Sequence, residues 1–94
     1  MLERDLQHYF IALVYKAGGR AYKVDSTTKR GFPDLVVALD GVLRLVEMKS
    51  PTGKLSHHQK CLHDELAEQL IAVTVISSRE EADQFIKDWH YDPN

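Results

Sequence analysis

Two apolar runs separated by Asp40-Gly41 constrain this chain more than any other feature of its sequence. The runs cover 35–39 (LVVAL) and 42–46 (VLRLV). An Asp-Gly pair between such runs is typical of a two-residue β-hairpin turn, because both residues tolerate the positive φ angles that the turn requires. A turn of known length sets the pairing of the two strands along their whole length.

That pairing places two carboxylates opposite each other at the far end of the hairpin, because it sets Asp34 against Glu47. Directly opposed residues have Cβ atoms roughly 4.5–5.5 Å apart, and like charges there destabilise a sheet. The two side chains could share a proton, splay into solvent or bind a cation. Lys49 lies two residues beyond Glu47 and projects from the same face. Two converging carboxylates beside an ammonium group predict a divalent-metal site with a charged catalytic partner.

The residues around this pair resemble the PD-(D/E)xK nuclease signature, with Pro33-Asp34, a spacer and Glu47-Met48-Lys49. The flanking positions narrow the resemblance to the VRR-NUC (virus-type replication-repair nuclease) family. The positions that carry it are Glu3 in the first helix, Gly31 before Pro33-Asp34, and Ser56 and Gln59 after the second half of the signature. The resemblance covers nearly the whole chain, which has the size of a stand-alone member of that family.

The order of apolar patterns predicts an α/β fold in one domain spanning 1–94, with helices over 2–16, from 56 to about 69, and after 78. Strands are expected over 20–24, along the hairpin and over 71–76. The last strand follows a helix, so it is expected to run parallel to its neighbour and to complete a mixed four-stranded sheet. The hairpin is apolar on both faces, which favours helices on both sides. The resemblance implies a restriction-endonuclease-like core of order αβββαβ(α).

The metal expected at this site is Mg²⁺, with Mn²⁺ as a substitute, because Mg²⁺ prefers a few carboxylates completed by waters and substrate oxygens. Asp34 and Glu47 would supply the carboxylates. By analogy with related nucleases, the Met48 backbone carbonyl is a further ligand. Lys49 is expected to orient or help deprotonate the attacking water and to stabilise charge in the transition state.

Two outlying residues, Glu3 and Gln59, have both a structural and a functional interpretation. Glu3 lies in the first turn of a helix, where the helix dipole favours negative charge; the family resemblance instead points it toward the metal, directly or through water. Ser56 and Gln59 form a capping-box pattern. The resemblance points Gln59 toward the catalytic water or Lys49. The two roles of Gln59 cannot use the same amide donors at once.

The segment before Asp34 is polar and basic, as phosphate-binding loops are. An ordinary surface loop uses the same residue types, but its position next to Asp34 favours contact with nucleic acid. Charge is also segregated: 1–60 carries ten Lys and Arg against six Asp and Glu, or +4, whereas 61–94 carries two against eight, or −6. The candidate nucleic-acid contacts are Thr27, Thr28, Lys29, Arg30, Lys54, Ser56 and His57.

The single cysteine, Cys61, excludes an intramolecular disulfide and a cysteine-rich zinc site. We expect it to face the core of its helix as a small apolar side chain. Leu62, Leu66 and Leu70 are expected to form the buried edge of the same helix. The histidines of this helix lack the i, i+4 spacing of two-histidine zinc sites. No apolar run approaches ~18 residues, so the expected location is the cytoplasm. The resemblance implies the cytoplasm of a bacterium or a phage-infected host.

The sequence therefore predicts a metal-dependent DNA endonuclease. The resemblance implies a homodimer that is similar to Holliday-junction resolvases, cleaves branched or flapped DNA in replication, repair or recombination, and leaves 5′-phosphate and 3′-hydroxyl ends. One alternative is a catalytically silent binding module that retains the nuclease fold. Another is the nuclease subunit of a larger helicase or restriction complex. The sequence leaves open the preferred DNA structure, the number of metal ions and the role of Gln59.

Overall fold

The computed structural model describes residues 1–25 and 29–89. None of the helices within them is long and apolar enough to cross a membrane. In chain order the elements are α1 (Glu3–Lys16), β1 (Arg20–Lys23), β2 (Leu35–Leu39), β3 (Val42–Met48), α2 (His57–Glu68), β4 (Val73–Ile76) and α3 (Arg79–Asp88). This is the predicted order.

The four strands form one mixed sheet in the order β1-β2-β3-β4. The first two pairings are antiparallel and β3 pairs with β4 in parallel, as the helix between them predicts. Asp40 and Gly41 have φ angles of 53° and 78°, so the tight turn predicted from the sequence is present. Leu39 pairs with Val42, and the register continues unbroken to Leu35 opposite Val46.

One face of the sheet forms the apolar core together with α1 and α3. Alternate residues of the strands project from this face and are buried: Leu35, Val37, Leu39, Val46, Met48 and Ile76. The helices contribute Leu6, Phe10, Val14, Ala82, Phe85 and Trp89 to the same cluster. The Phe10 and Phe85 rings meet edge to face at 5.5 Å, which joins the two helices over the centre of the sheet.

Helix α2 lies on the opposite face and covers only the end that contains Glu47. The expectation of helices on both faces is met there, but the other end is open, with Leu43 69% and Tyr22 57% exposed. Leu70 was expected on the buried edge of α2, and that prediction is wrong. Helix α2 ends at Glu68, and Leu70 follows with a φ of 64° and is 94% exposed.

The prediction that Cys61 faces the core is also wrong. Its side chain is exposed, and its Sγ lies 3.5 Å from Nε2 of His57, one turn earlier on the same helix. The buried side of α2 is formed instead by Leu62, which is 6% exposed, with Leu66 partly buried.

Candidate active site

Asp34 and Glu47 meet where the hairpin register placed them, at the end of β2 and β3. The Asp34 carboxylate accepts a hydrogen bond through Oδ2 from the Met48 backbone N–H at 2.9 Å. Its own backbone carbonyl accepts from the Val24 N–H at 2.9 Å. Both the backbone and the side chain of Asp34 are therefore held by neighbouring segments of the sheet.

Glu47 is fully buried, an unusual position for a carboxylate because taking its charge out of water is costly. Burial, followed by the hydrogen bond to Asp34 and the Asp34 charge, raises the pKa of Glu47 to about 9. The Lys49 ammonium acts in the opposite direction, while Glu3 adds a smaller effect that also raises the pKa. Without a cation, Glu47 therefore keeps a proton at neutral pH, and both Lys49 and Glu3 lie within electrostatic range of it.

Gln59 connects α2 to Glu47 and caps its own helix at the same time. Its Oε1 accepts a hydrogen bond from the Ser56 backbone N–H at 2.9 Å, and the Ser56 hydroxyl accepts from the Gln59 N–H at 3.2 Å. Its Nε2 donates to Oε2 of Glu47 at 3.1 Å. The cap uses the amide oxygen, and the amide nitrogen donates to Glu47, whereas the resemblance pointed Gln59 toward the catalytic water or Lys49.

His63 lies one turn beyond Gln59 on the same side of α2. Its Nε2 is 3.7 Å from Oε1 of Glu47, and neither atom has a hydrogen-bond partner among the described residues. Burial lowers the pKa of His63 below its usual value, and the charge of Asp64 opposes this only in part. The imidazole is therefore neutral at neutral pH, and it faces the free oxygen of a buried carboxyl group.

A pocket of about 310 Å³ opens beside the carboxyl pair. Its lining residues are Arg30, Gly31, Phe32, Asp34, Ser56, His58 and Gln59. Gly31 has a φ of 87°, and a Cβ built on it would lie 2.5 Å from the His58 carbonyl oxygen. Only glycine lets the basic loop lie directly against the first turn of α2, and this close approach shapes the pocket.

The donor set fits a divalent cation that keeps part of its hydration shell. Oε1 of Glu47 is buried without a partner among the described residues, and the raised pKa of Glu47 reflects a charge that a cation could neutralise. The described residues contain no cluster of three or more acidic, histidine or cysteine side chains arranged as a metal cage. Two carboxylates supplemented by water and substrate oxygens match the preference of Mg²⁺.

The residues predicted to contact nucleic acid are only partly brought together. Arg30 and Ser56 line the pocket, whereas Lys29 lines a neighbouring cavity, and Lys54 is exposed. His57 lies beside Cys61, and the adjacent His58 lines the pocket in its place. The remaining two candidates, Thr27 and Thr28, lie outside the described residues.

Sequence reasoning missed the position of His63 against Glu47. The signal was present, because Gln59 and His63 are four residues apart and such residues share a helix face. The spacing between histidines does not reveal this position, because the two residues that share the helix face are a glutamine and a histidine.

Comparisons with known proteins agree with this geometry. The family model described as VRR-NUC domain matches residues 5–80 of the chain. The chain is 35% identical over 79 residues to the "Putative nuclease p44" of Acyrthosiphon pisum secondary endosymbiont phage 1, covering 83% of this chain and 85% of that protein. A solved structure titled "VRR_NUC domain" superposes with a TM-score of 0.82 at 28% identity, covering 94% of this chain and 97% of the other.

Proposed function

Because this chain belongs to the VRR-NUC domain family of nucleases, we propose that it is a metal-dependent DNA endonuclease that hydrolyses phosphodiesters with Mg²⁺ or Mn²⁺. Residues 1–94 act as one nuclease domain in this proposal. Its substrate is branched or flapped duplex DNA in replication, repair or recombination. Its place of action is the cytoplasm of a bacterium or a phage-infected host.

The buried carboxyl pair is the observation that carries this proposal. A fold gains no stability from Glu47 at a fully buried position against Asp34, because the pair must hold either a proton or a cation. An apolar side chain would fill the same volume without that penalty. A binding module that had lost catalysis would have no use for the pair, so its presence favours an enzyme.

Four groups of the chain are assigned to the cation. Asp34 and Glu47 would hold it with their carboxylates, the Met48 backbone carbonyl would be a further ligand, and Glu3 would contribute directly or through water. The electrostatic influence of Glu3 on Glu47 supports its assignment, although Glu3 is exposed and precedes the matched residues 5–80. When bound, a divalent cation polarises the scissile phosphate and lowers the pKa of a coordinated water.

Lys49 and Gln59 complete the proposed catalytic machinery. The Lys49 ammonium orients the attacking water and stabilises the negative charge that develops on the phosphoryl oxygens. Its electrostatic effect on Glu47 supports a position at the reacting centre. Gln59 holds the Glu47 carboxylate through its amide nitrogen while its amide oxygen fixes the start of α2.

The pocket gives the DNA backbone a route to these groups. Arg30 and His58 lie at the pocket together with Asp34, so a phosphate bound by the first two would place its neighbour close to the carboxyl pair. Lys29 and Lys54 extend the basic surface. The remaining candidates for contact with the DNA backbone are Thr27, Thr28, Ser56 and His57. Phosphate contacts of this kind position DNA without reading its sequence.

A homodimer is the proposed assembly, and the open end of the α2 face is its proposed interface. This surface is apolar and groove-shaped, and its lining includes Leu43, Leu45 and Ile71. Exposed apolar surface of this kind is typical of an interaction site. Two-fold symmetry is the commonest symmetry of small oligomers, and it would bury the same patch on both copies.

The test is cleavage of linear, flapped and four-way-branched DNA by the purified chain in Mg²⁺, Mn²⁺ or EDTA. Asp34→Ala and Lys49→Ala are expected to lose activity by about 10²–10⁴-fold. Asp40→Asn is the matched control, because Asp40 is an exposed acid in the turn of the same hairpin and asparagine tolerates its positive φ.

Each outcome of this test selects one function. Metal-dependent cleavage that requires Asp34 and Lys49 supports the endonuclease, and a preference for branched substrates supports the structure selectivity. DNA binding without cleavage, even in Mn²⁺, would establish the binding module instead. Cleavage that appears only after addition of a helicase or restriction partner would identify a subunit of a larger complex.

A further inference from the structure

Two buried polar atoms next to the proposed metal site have no hydrogen-bond partner among residues 1–25 and 29–89. Oε1 of Glu47 and Nε2 of His63 face each other at 3.7 Å, which is longer than a hydrogen bond. Glu47 is fully buried and the His63 side chain is only 14% exposed, so neither atom faces open solvent. Buried polar groups are normally paired, and these two side chains are placed so that each can supply the partner of the other.

Helix α2 presents two side chains to a single carboxyl group. Gln59 and His63 are one helical turn apart on the same face. Gln59 already donates to Oε2 of Glu47 at 3.1 Å, and His63 faces the other oxygen. This two-point arrangement would fix the rotation of the carboxylate plane, which a single hydrogen bond cannot do.

We propose that His63 is a positioning residue for the metal site: in the cation-loaded protein its Nε2–H donates to Oε1 of Glu47 and, together with Gln59, orients Glu47 toward the cation. The inference rests on the metal dependence proposed above. Donors that orient a metal-binding carboxylate typically account for a 10–100-fold difference in metal affinity.

The chemistry of the imidazole suits this role. A neutral imidazole carries one N–H, and with that hydrogen on Nε2 it donates to an ionised carboxylate. A carboxylate that ligates a cation through one oxygen keeps lone pairs on the other, so Oε1 can accept the Nε2–H. A movement of about 0.8 Å closes the 3.7 Å gap to an ordinary hydrogen-bond length.

The first test measures Mn²⁺ binding to the full chain without DNA, by electron paramagnetic resonance of the free ion. His63→Leu removes the donor at similar volume and is expected to weaken Mn²⁺ binding by about 10–100-fold. His63→Gln places an amide N–H near the position of Nε2 and is expected to restore affinity to within about threefold of the wild type. His8→Leu, at an exposed position of α1, is the matched control and should bind like the wild type.

A kinetic measurement separates positioning from a general structural role. In DNA cleavage, His63→Leu should raise the Mn²⁺ concentration for half-maximal rate by the same factor as the binding constant. At saturating Mn²⁺ its kcat should remain within about threefold of the wild type, because the cation itself then holds Glu47 in place. Circular dichroism confirms that the variants are folded.

A second measurement needs no variant and therefore does not depend on folding of His63→Leu. Nitrogen-15 NMR of the wild type with saturating Mg²⁺ should show His63 with its proton on Nε2. An unprotonated Nε2 in the loaded protein overturns the proposal, as does unchanged Mn²⁺ affinity in folded His63→Leu. A wild type that binds no divalent cation refutes the metal dependence itself, whereas wild-type binding that His63→Leu leaves intact refutes only the role of His63.

Discussion

The two faces of the sheet are formed by the same strands, but one is packed as the apolar core and the other is partly open. On the face toward α1 and α3, Val46 and Met48 of β3 are buried among apolar side chains. On the face toward α2, Leu45 of the same strand lines an open apolar groove, whereas Glu47 is buried next to Asp34, which lines the pocket. Alternation along one strand thus separates a packed core from a surface available for function.

Burial has a different meaning on each face. The aromatic side chain of Phe10 is fully buried and stabilises the fold by contact and by removal of apolar area from water. Glu47 is just as buried, but its pKa shift shows that its environment disfavours the charged form. Burial of Phe10 therefore stabilises the fold, whereas burial of Glu47 lowers its stability.

The largest expected effect tests this difference directly. Phe10→Ala should lower the free energy of unfolding by about 3–5 kcal/mol, because it leaves a cavity between α1 and α3. Glu47→Gln should leave the free energy of unfolding unchanged or raise it at pH 7, because it removes a group that folding must protonate. Urea denaturation of both variants without metal measures the two values. A loss in Glu47→Gln as large as that in Phe10→Ala would contradict the contrast between the faces.

The second prediction concerns pH. The folded-state pKa of Glu47, about 9, lies above its ordinary value of 4.5, so its stabilising contribution is complete below pH 4.5 and is lost as pH rises toward 9. Between pH 7 and 8.5 the metal-free protein should lose about 1 kcal/mol of unfolding free energy per pH unit. Glu47→Gln should lack this slope.

The contribution of His63 to stability changes with pH in the opposite direction to that of Glu47. This difference sets the pH range in which the Glu47 contribution can be measured. The pKa of His63 is lowered below 6.5 in the folded protein, so its contribution is lost as pH falls and is constant above pH 7. Added Mg²⁺ provides the internal control, because it favours the ionised form of Glu47 and should stabilise the protein more at pH 8.5 than at pH 7. A wild-type profile parallel to that of Glu47→Gln would show that Glu47 does not carry the proton.

Local rules were sufficient to predict the hairpin and the carboxyl pair. The Asp40-Gly41 turn has a fixed length, and the alternation of a strand has a fixed period, so Asp34 and Glu47 had to meet. The cap at Ser56 and Gln59 was predicted from the capping-box pattern, whose two residues are close together in sequence. Each of these inferences depends only on residues near one another in sequence or joined by one short turn.

The features that escaped prediction depend on where α2 lies across the sheet. Cys61 and Leu70 were assigned to a buried edge because the sequence does not show how far α2 extends over β3 or where it ends. The meeting of His63 with Glu47 depends on the same placement. Helix periodicity defines a stripe of residues, but the partner of that stripe is set by tertiary contacts.

The third prediction tests the close contact between the loop at Gly31 and the first turn of α2. Gly31→Ala should destabilise the protein by about 1–3 kcal/mol, since alanine is strained at a φ of 87° and its Cβ would clash with the His58 carbonyl. The substitution should also weaken DNA cleavage by moving the basic loop away from α2. Gly18→Ala is the control, because Gly18 has a similar φ of 97° but open space around it. Equal losses in both variants would mean that backbone strain alone accounts for the effect.

The smallest expected effect on stability lies at the open end of the α2 face. Leu43 is 69% exposed, so Leu43→Lys should change the unfolding free energy of the monomer by no more than about 0.5 kcal/mol. If two copies pair through this surface, the same substitution places a charge in their interface and should reduce the mass in sedimentation equilibrium from two chains to one chain of 10.8 kDa. Lys16→Glu, an exposed change on α1, should leave that mass unaltered. A dimer that persists in Leu43→Lys would show that the interface lies elsewhere on the surface. Leu43 would then be an exposed leucine that contacts no second copy.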